Sequence, residues 1–132
     1  FPSVPIALAY PNLPVTAVDS IRKKINAIVS MKTILDIKNL TPICERVENI
    51  DKKFDIVTSR AVANLGKIVE YAIPHLKKDG YFIAYKSVKA QEEIDEAKLI
   101  LKQYNAKVID IIQYDLPLEE NHTRNLVVIT RN

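Results

Sequence analysis

The sequence is short of glycine and of cysteine. It has two glycines among 132 residues, whereas an average composition of roughly 7% would give about nine. A glycine-rich loop that could cradle a phosphate or a cofactor is therefore absent from the sequence. Cys44 is the single cysteine, which excludes a disulfide framework and a cysteine-based metal site and is typical of a protein of the reducing cytoplasm.

Long apolar runs and a strong charge imbalance are lacking as well. The apolar runs have the length of strands and fall far short of the ~20 residues that cross a bilayer, so we expect no membrane span. The formal net charge of +3 permits an anionic partner but is far from the dense positive field of a nucleic-acid-binding tail. With 48% apolar residues, the chain is expected to form one globular domain over 1–132.

What the sequence does contain is an alternation of strand patterns and helix patterns. Short apolar segments with the composition of strands lie at 14–19, 41–44, 54–59, 80–86, 108–112 and 126–129. Helical patterns lie at 1–9, 21–35, 65–76 and 90–104. The chain is therefore expected to alternate between strands and helices along most of its length.

Three of the helical patterns carry further detail. Ser20 is a candidate N-cap for a helix whose apolar face is predicted to comprise Ile21, Ile25, Ile28, Val29 and Leu35. The strongest period lies at 65–76, and this helix is expected to end with Lys77, Lys78 and Gly80, because cations and glycine favour helix C-termini. In the helix at 90–104, a solvated acidic face is predicted for Glu92, Glu93, Asp95 and Glu96.

The order of these elements predicts an α/β fold. Strands that alternate with helices favour a mostly parallel sheet covered on both faces. The end of the chain departs from this rule, because Pro117 and the missing apolar period argue against a crossover helix and favour an antiparallel hairpin. A mostly parallel sheet closed by such a C-terminal hairpin is typical of Rossmann-like methyltransferases. No strand pattern precedes 1–9, so we expect the first strand of the sheet and its glycine loop to be missing from this chain.

Candidate site residues follow the predicted strands, since ligands of open α/β sheets bind beyond the carboxyl ends of the strands. Asp19 could accept hydrogen bonds from ribose hydroxyls or serve as a charge at a helix N-terminus, and the sequence leaves both roles open. Arg60 follows an apolar strand and is either a solvated charge or a site residue. No Ser/His/Asp, Cys/His or metal-ligand pattern is present, so an enzyme of this sequence would act by positioning and electrostatics.

Several segments of the sequence resemble a known family. They are FPSVPIALAYPNLPVTAVDS, ERVENI, FDIVTSRAVANLGKIVEYAIPHLKKDGYFIAYK and TRNLVVITR. They resemble the glucose-inhibited division protein B family, the small-subunit ribosomal RNA methyltransferase G, and SRAVA is the most specific piece. The resemblance implies a Rossmann-like methyltransferase that transfers a methyl group from S-adenosyl-L-methionine to N7 of a guanine in 16S rRNA. It also implies 16S rRNA or the small ribosomal subunit as partner, and a cytoplasmic, monomeric enzyme.

The same resemblance assigns roles to individual residues. The cofactor-binding positions that it implies are Phe1, Asp19, Val47, Glu48 and Arg60. Lys86 and Arg124 match basic positions that face the RNA, and the consecutive residues Arg22, Lys23 and Lys24 are a further RNA-binding candidate. No catalytic base is expected, because N7 of guanine carries a free lone pair and no proton. Ser3, Val47 and Ser87 depart from the family pattern.

Two other functions stay open. The small number of glycines and Ser3 favour a non-catalytic remnant that has lost its cofactor loop and binds RNA only. A nicotinamide-dependent oxidoreductase shares the expected role of Asp19, but the sequence lacks the GxGxxG motif of that class. Such an oxidoreductase would also require a fully parallel sheet.

Overall fold

The computed structural model describes residues 2–60, 63–117 and 122–132, the last range without the side chain of His122. They group into two compact units, unit 1 over 1–50 and unit 2 over 51–132. That the chain is one domain stays a prediction. Within the described ranges, no helix is long and apolar enough to cross a membrane.

Unit 1 is built on a short parallel sheet. Its elements are α1 (Ser3–Ala9), β1 (Val15–Asp19), α2 (Arg22–Ile34), β2 (Leu40–Cys44) and a 3-10 turn over Val47–Asn49. Strands β1 and β2 are parallel and in register, so both end at the same edge of the sheet. The core of the unit is formed by Val4, Ala7, Ala17, Ile25, Ile28, Ile37 and Leu40.

Helix α2 buries a narrower face than its sequence predicts. Ile25 and Ile28 are buried, whereas Ile21, Val29 and Leu35 are each more than 40% exposed. The prediction is wrong for these three residues, because the two strands of unit 1 are too few to cover a wide apolar stripe. Ser20 is also not the N-cap: that position belongs to Ile21, and no side chain caps the helix.

The side chain of Asn39 holds the segment between α1 and β1. Its Nδ2 lies 3.0, 2.9 and 2.7 Å from the carbonyl oxygens of Ala7, Tyr10 and Leu13. An amide group has two N–H protons, so these protons are shared among the carbonyls. The main-chain oxygen of Asn39 accepts a further bond from Val15 N, at 2.8 Å. Asn39, which directly precedes β2, therefore fixes the chain segment that leads into β1.

Replacing Asn39 with alanine is expected to lower the free energy of unfolding by about 1–3 kcal/mol, because the half-buried carbonyl of Ala7 and the exposed carbonyls of Tyr10 and Leu13 lose their donor. Urea denaturation followed by circular dichroism measures the change. Asn26→Ala is the matched control, since Asn26 is exposed on α2, and alanine there should be neutral or slightly stabilising. Equal losses in the two variants would contradict the role of Asn39.

Unit 2 contains a mixed sheet. Its elements are β3 (Phe54–Arg60), α3 (Leu65–Ala72), a 3-10 turn over Ile73–His75, β4 (Leu76–Lys86), α4 (Ala90–Glu96), α5 (Lys98–Gln103), β5 (Ala106–Leu116) and β6 (His122–Arg131). The strand order is β3-β4-β6-β5. Strands β3 and β4 are parallel, and β6 is antiparallel to both β4 and β5. The predicted C-terminal hairpin is confirmed, and a fully parallel sheet, which an oxidoreductase would require, is not what forms.

The hairpin is longer than the apolar patterns predict. Polar residues that the sequence places in the connection belong to the strands, since Gln113 pairs with Asn125 and Tyr114 pairs with Arg124. These positions are exposed or half-buried, with the exception of Asn125. A strand end that faces solvent does not need regularly spaced apolar residues, so the apolar pattern did not predict these ends of β5 and β6.

Helix α3 ends earlier than predicted. It stops at Ala72, and Pro74 lies in the 3-10 turn that follows, because proline lacks the N–H that a helix interior requires. Lys77, Lys78 and Gly80 consequently belong to β4 and do not end the helix. Gly80 has a different role: a Cβ at this position would lie 2.6 Å from the carbonyl oxygen of Asp55. Only glycine permits this close approach of β4 to β3.

The helical pattern at 90–104 forms two helices. Ala97, which is buried, separates α4 from α5 with a backbone ψ of 1°. The bend allows Ile94 of α4 and Leu101 of α5 both to reach the core of the unit. Tertiary packing therefore overrides a continuous helical pattern here.

The helices of unit 2 pack on one face of its sheet. The buried face includes Phe82, Ala84, Val127 and Ile129, which share a core with residues of α3, α4 and α5. On the opposite face, Ile56 and Tyr81 are 53% and 47% exposed. Among the described residues of unit 2, helices therefore cover one face of the sheet, whereas the sequence predicts helices on both faces.

Candidate functional site

A cleft lies at the carboxyl edge of the sheet in unit 1. It has a volume of about 330 Å³ and is lined by Val18, Asp19, Ser20, Glu45, Arg46, Val47 and Glu48. The parallel pairing of β1 and β2 brings these two stretches of chain together, because Asp19 and Cys44 are register partners at the strand ends. Three of the predicted cofactor positions, Asp19, Val47 and Glu48, therefore line one cleft.

The carboxylate of Asp19 is held in a fixed orientation. Its Oδ1 accepts a hydrogen bond of 2.8 Å from Ile21 N, at the start of α2. Its Oδ2 takes no hydrogen bond from the described residues. Both roles that the sequence left open are thus compatible with the geometry: one oxygen organises the turn into the helix, and the other is available to a ligand in the cleft.

Glu45 organises the other wall of the cleft. Its Oε1 accepts hydrogen bonds of 2.9 Å from Asn49 Nδ2 and from Arg46 N. The hydrogen bond from Asn49, followed by that from the Arg46 backbone, lowers the pKa of the Glu45 carboxyl below its ordinary value of 4.5. These bonds span the 3-10 turn that carries Val47, which is half-buried, and Glu48, which is exposed.

The sequence reasoning did not single out Glu45 or Asn49. The signal that could have found them is their separation of four residues in a short helical turn, which places two such side chains on one side. A charged residue after a strand is usually solvated, so the position of Glu45 after β2 assigned it no role.

Arg60 ends β3 at the carboxyl edge of the sheet in unit 2. It is exposed, its register partner on β4 is Tyr85, and its guanidinium makes no hydrogen bond or ion pair with the residues that the structure describes. The apolar strand that precedes it is the edge strand of this sheet. Arg60 and the cleft belong to different units, so the expected position of Arg60 beside Asp19 and Glu48 stays a prediction.

Lys86 does not face outward, as an RNA contact would require. Its side chain is 5% exposed, and Nζ donates to Glu93 Oε1 at 2.8 Å and to the carbonyl oxygen of Ala63 at 2.7 Å. The expectation for Lys86 is wrong, because a strand end on the covered face of the sheet points under the helices. Glu93, predicted on a solvated acidic face, is its half-buried partner.

The remaining predicted RNA-binding residues differ in their surroundings. Arg22, Lys23 and Lys24 are exposed in the first turn of α2, which carries no acidic residue. Arg124 is half-buried on β6, and its Nη1 lies 3.3 Å from the carbonyl oxygen of Thr123. Phe1 lies outside the described residues. In the part of the chain that the structure describes, no group of His, Cys, Asp and Glu could hold a metal ion.

The pH dependence of the cleft wall follows from Glu45. A lowered pKa in the folded state means that its hydrogen bonds stabilise the turn above the unfolded pKa and are lost as the pH falls through the folded value. We therefore expect the NMR signals of the Asn49 side-chain amide to shift as the pH falls below 4.5. In Glu45→Gln, which keeps an acceptor but cannot titrate in this range, the shift should disappear. A shift that persists in this variant would contradict the assignment.

Comparison with known sequences identifies relatives over the whole chain. A family model, GidB: rRNA small subunit methyltransferase G, matches residues 1–129. Ribosomal RNA small subunit methyltransferase G of Staphylococcus saprophyticus subsp. saprophyticus is 39% identical over 136 residues, which cover 99% of this chain and 56% of the relative. The protein of the same name from Bacillus subtilis is 36% identical over 137 residues, covering 99% of this chain and 57% of the relative. The chain thus spans little more than half the length of these relatives.

Comparison with solved structures identifies the fold. The crystal structure of M. jannaschii TYW2 in complex with AdoMet matches 98% of this chain and 64% of its own with a TM-score of 0.77 and 16% identity. An rRNA methylase from Streptococcus thermophilus matches 89% of this chain and 74% of its own with a TM-score of 0.61 and 14% identity. At such identities the likeness shows the fold, which is the Rossmann-like α/β fold of methyltransferases.

Proposed function

We propose that this chain, which belongs to the GidB family of rRNA small subunit methyltransferases G, carries the S-adenosylmethionine-binding part of an enzyme that methylates guanine N7 in 16S rRNA. The observation that carries the proposal is the cleft in unit 1. It brings Asp19, Val47 and Glu48 together at the carboxyl edge of parallel strands, where open α/β sheets bind their ligands.

The lining of the cleft suits the adenosyl part of the cofactor. Its volume of about 330 Å³ lies at the lower end of the range for small-molecule sites. Asp19 offers an oriented carboxylate oxygen to the ribose hydroxyls. Val47 offers a half-buried apolar surface to the purine ring, and Glu48 lies beside it at the exposed rim. The turn that carries both is fixed by Glu45 and Asn49, so the wall is preorganised.

Arg60 is proposed as the cofactor-site arginine of unit 2. It ends β3 with an exposed guanidinium, and a guanidinium can bind a carboxylate through two parallel hydrogen bonds. The amino-acid end of the cofactor presents such a carboxylate. The fixed position of Arg60 opposite Tyr85 means that little backbone freedom at this residue needs to be lost on binding.

The reaction asks little acid or base chemistry of the protein. S-adenosylmethionine supplies a methyl group on a sulfonium, which is electrophilic without further activation. Guanine N7 has a free lone pair and no proton to lose. The residues of the chain therefore have to hold cofactor and base in line and exclude water, which is catalysis by positioning.

The basic start of α2 supports an RNA partner. The first turn of a helix favours anions because the helix dipole is positive there, yet this turn carries Arg22, Lys23 and Lys24 and no acidic residue. Such an arrangement costs stability, and phosphate groups of an RNA would reverse the cost. We propose that these three residues contact 16S rRNA or the small ribosomal subunit, and that the enzyme acts as a cytoplasmic monomer.

The role of Asp19 is tested by calorimetry of S-adenosylhomocysteine with the full-length product of the gene that encodes this chain. Asp19→Asn should weaken binding about 10- to 100-fold, because the hydrogen bonds lose a charged acceptor worth about 1.5–3 kcal/mol. Asparagine retains an acceptor for Ile21 N, so the fold should be preserved. Asp51→Asn, at an exposed position of unit 2, is the control and should leave the affinity unchanged. Equal affinities of wild type and Asp19→Asn would rule out the ribose role.

Methyl transfer is tested on small ribosomal subunits that lack this modification, with radiolabelled S-adenosylmethionine. Label is expected at N7 of a guanine in 16S rRNA, identified by mass spectrometry of the digested RNA. RNA binding without cofactor binding would support the non-catalytic remnant instead. Transfer to a different atom would also contradict the proposal.

Charge reversal in the first turn of α2 separates stability from RNA binding. Lys23→Glu with Lys24→Glu should raise the free energy of unfolding by about 0.3–1 kcal/mol per residue, since anions suit this end of the helix. The same variant should bind 16S rRNA more weakly, and the slope of log affinity against log salt should fall by roughly one for each phosphate that the protein no longer neutralises. Lys38→Glu, also exposed in unit 1, is the control. An unchanged salt slope would exclude the basic turn from the RNA interface.

A further inference from the structure

Lys86 is a buried cation for which the proposed reaction has no use. It is the last residue of β4, its side chain is 5% exposed, and its ion-pair partner Glu93 on α4 is 19% exposed. Nζ and Oε1 are 2.8 Å apart. A contact with RNA is excluded by this burial, so the pair must be explained by what it binds within the protein.

The pair binds the main chain at the start of α3. Lys86 Nζ donates to the carbonyl oxygen of Ala63 at 2.7 Å, and Glu93 Oε1 accepts from Leu65 N at 2.9 Å. Between these two contacts, Asn64 caps α3 by accepting from Lys67 N at 3.0 Å. One ammonium and one carboxylate thus fix the main chain on both sides of Asn64.

Stability alone is a poor reason for such a pair. Removing two charges from water costs free energy that their mutual attraction often only offsets, and apolar side chains of similar volume can do as well. What apolar side chains cannot do is hydrogen-bond to a carbonyl oxygen and an N–H group of the main chain at fixed positions. The pair is therefore suited to positioning a segment of backbone.

The positioned main chain, at Ala63 and Leu65, lies three to five residues after Arg60. Arg60 is aligned by strand pairing with Tyr85, the neighbour of Lys86 on β4, and this is the last pair between β3 and β4 among the described residues. The hydrogen bond from Lys86 Nζ to the carbonyl oxygen of Ala63 is a further contact between β4 and the main chain beyond this pair. Lys86 itself is fixed from the other side, because its register partner Asn125 donates to the carbonyl oxygen of Ser87 at 2.9 Å.

We propose that Lys86 and Glu93 are positioning residues of the cofactor site, which act by fixing the main chain at Ala63 and Leu65 and thereby the orientation of Arg60. This inference rests on the proposed role of Arg60 in cofactor binding. Lys86 is accordingly not an RNA ligand. Its effect on the cofactor is transmitted through Arg60 and requires that Arg60 be present.

A double-mutant cycle in the full-length gene product tests whether Lys86 affects cofactor binding through Arg60. Lys86→Met should weaken the binding of S-adenosylhomocysteine, measured by calorimetry, at least fivefold in the wild-type background and by less than twofold in the Arg60→Ala background. Lys89→Met, at an exposed lysine in front of α4, is the matched control and should change neither affinity. If Lys86→Met lowers the affinity by the same factor in the wild-type and the Arg60→Ala backgrounds, the proposal is overturned, since Lys86 would then act without Arg60.

Hydrogen exchange tests the positioning itself without any cofactor. The amide of Leu65 should exchange at least tenfold faster in Lys86→Met than in the wild type, while the amide of Val69 in the same helix should change much less. Unchanged exchange at Leu65 would overturn the proposal whatever the affinities are. If Lys86→Met does not fold, Glu93→Met, which keeps about the length of the side chain and removes the acceptor for Leu65 N, is measured in its place with the same expectations.

The two proposals fail in different ways. If Arg60→Ala binds the cofactor as tightly as the wild type, the proposed role of Arg60 is wrong, and the inference about Lys86 falls with it even when Leu65 exchanges faster. If Arg60→Ala loses affinity but Lys86→Met does not, only the inference about Lys86 is wrong.

Discussion

Parallel pairing of neighbouring strands is the constraint on which the functional conclusions depend. In unit 1 it brings the ends of β1 and β2 to one edge, and in unit 2 it does the same for β3 and β4. Polar side chains such as Asp19 and Arg60 can be presented at these ends without losing the apolar strand that precedes them. A small number of backbone hydrogen bonds thus positions residues that are far apart in the sequence.

The supports of the site are hydrogen bonds between side chains and main chain rather than a large apolar enclosure. Glu45 binds the turn after β2, and Lys86 with Glu93 binds the main chain at Ala63 and Leu65. In both places a charged group is used to satisfy backbone donors or acceptors near a strand end. Such contacts have strict geometry and limit the conformations of the ligand-facing residues next to them.

Much of this arrangement could be predicted from the sequence. The strands and the principal helices followed from apolar periodicity, and the hairpin followed from Pro117. Asp19 in the cleft followed from the rule that ligands bind at the carboxyl ends of strands, and Val47 and Glu48 followed from the family resemblance. The same patterns failed where tertiary packing decides: nothing local indicates that the helical period would break at Ala97, or that Ile21, Val29 and Leu35 would be left exposed. Lys86 and Glu93 were misjudged for a related reason, since the sequence shows the charges but not that β4 and α4 bring them together, with Lys86 buried and Glu93 half-buried.

The bulge between β3 and β4 has a consequence for how this fold tolerates change. Residues 77–80 lie opposite the single residue Asp55, and regular pairing resumes with Ile56 and Tyr81. The bulge accommodates a difference in length between the two strands at the end of the sheet that is far from Arg60. The regular pairing from Ile56 to Arg60 then follows. A residue inserted or deleted among 77–79 can therefore alter the bulge and leave Tyr85 opposite Arg60. Gly80 closes the bulge against the Asp55 carbonyl and so sets the register of every pair that follows, which insulates the binding edge from variation at the other end of the sheet.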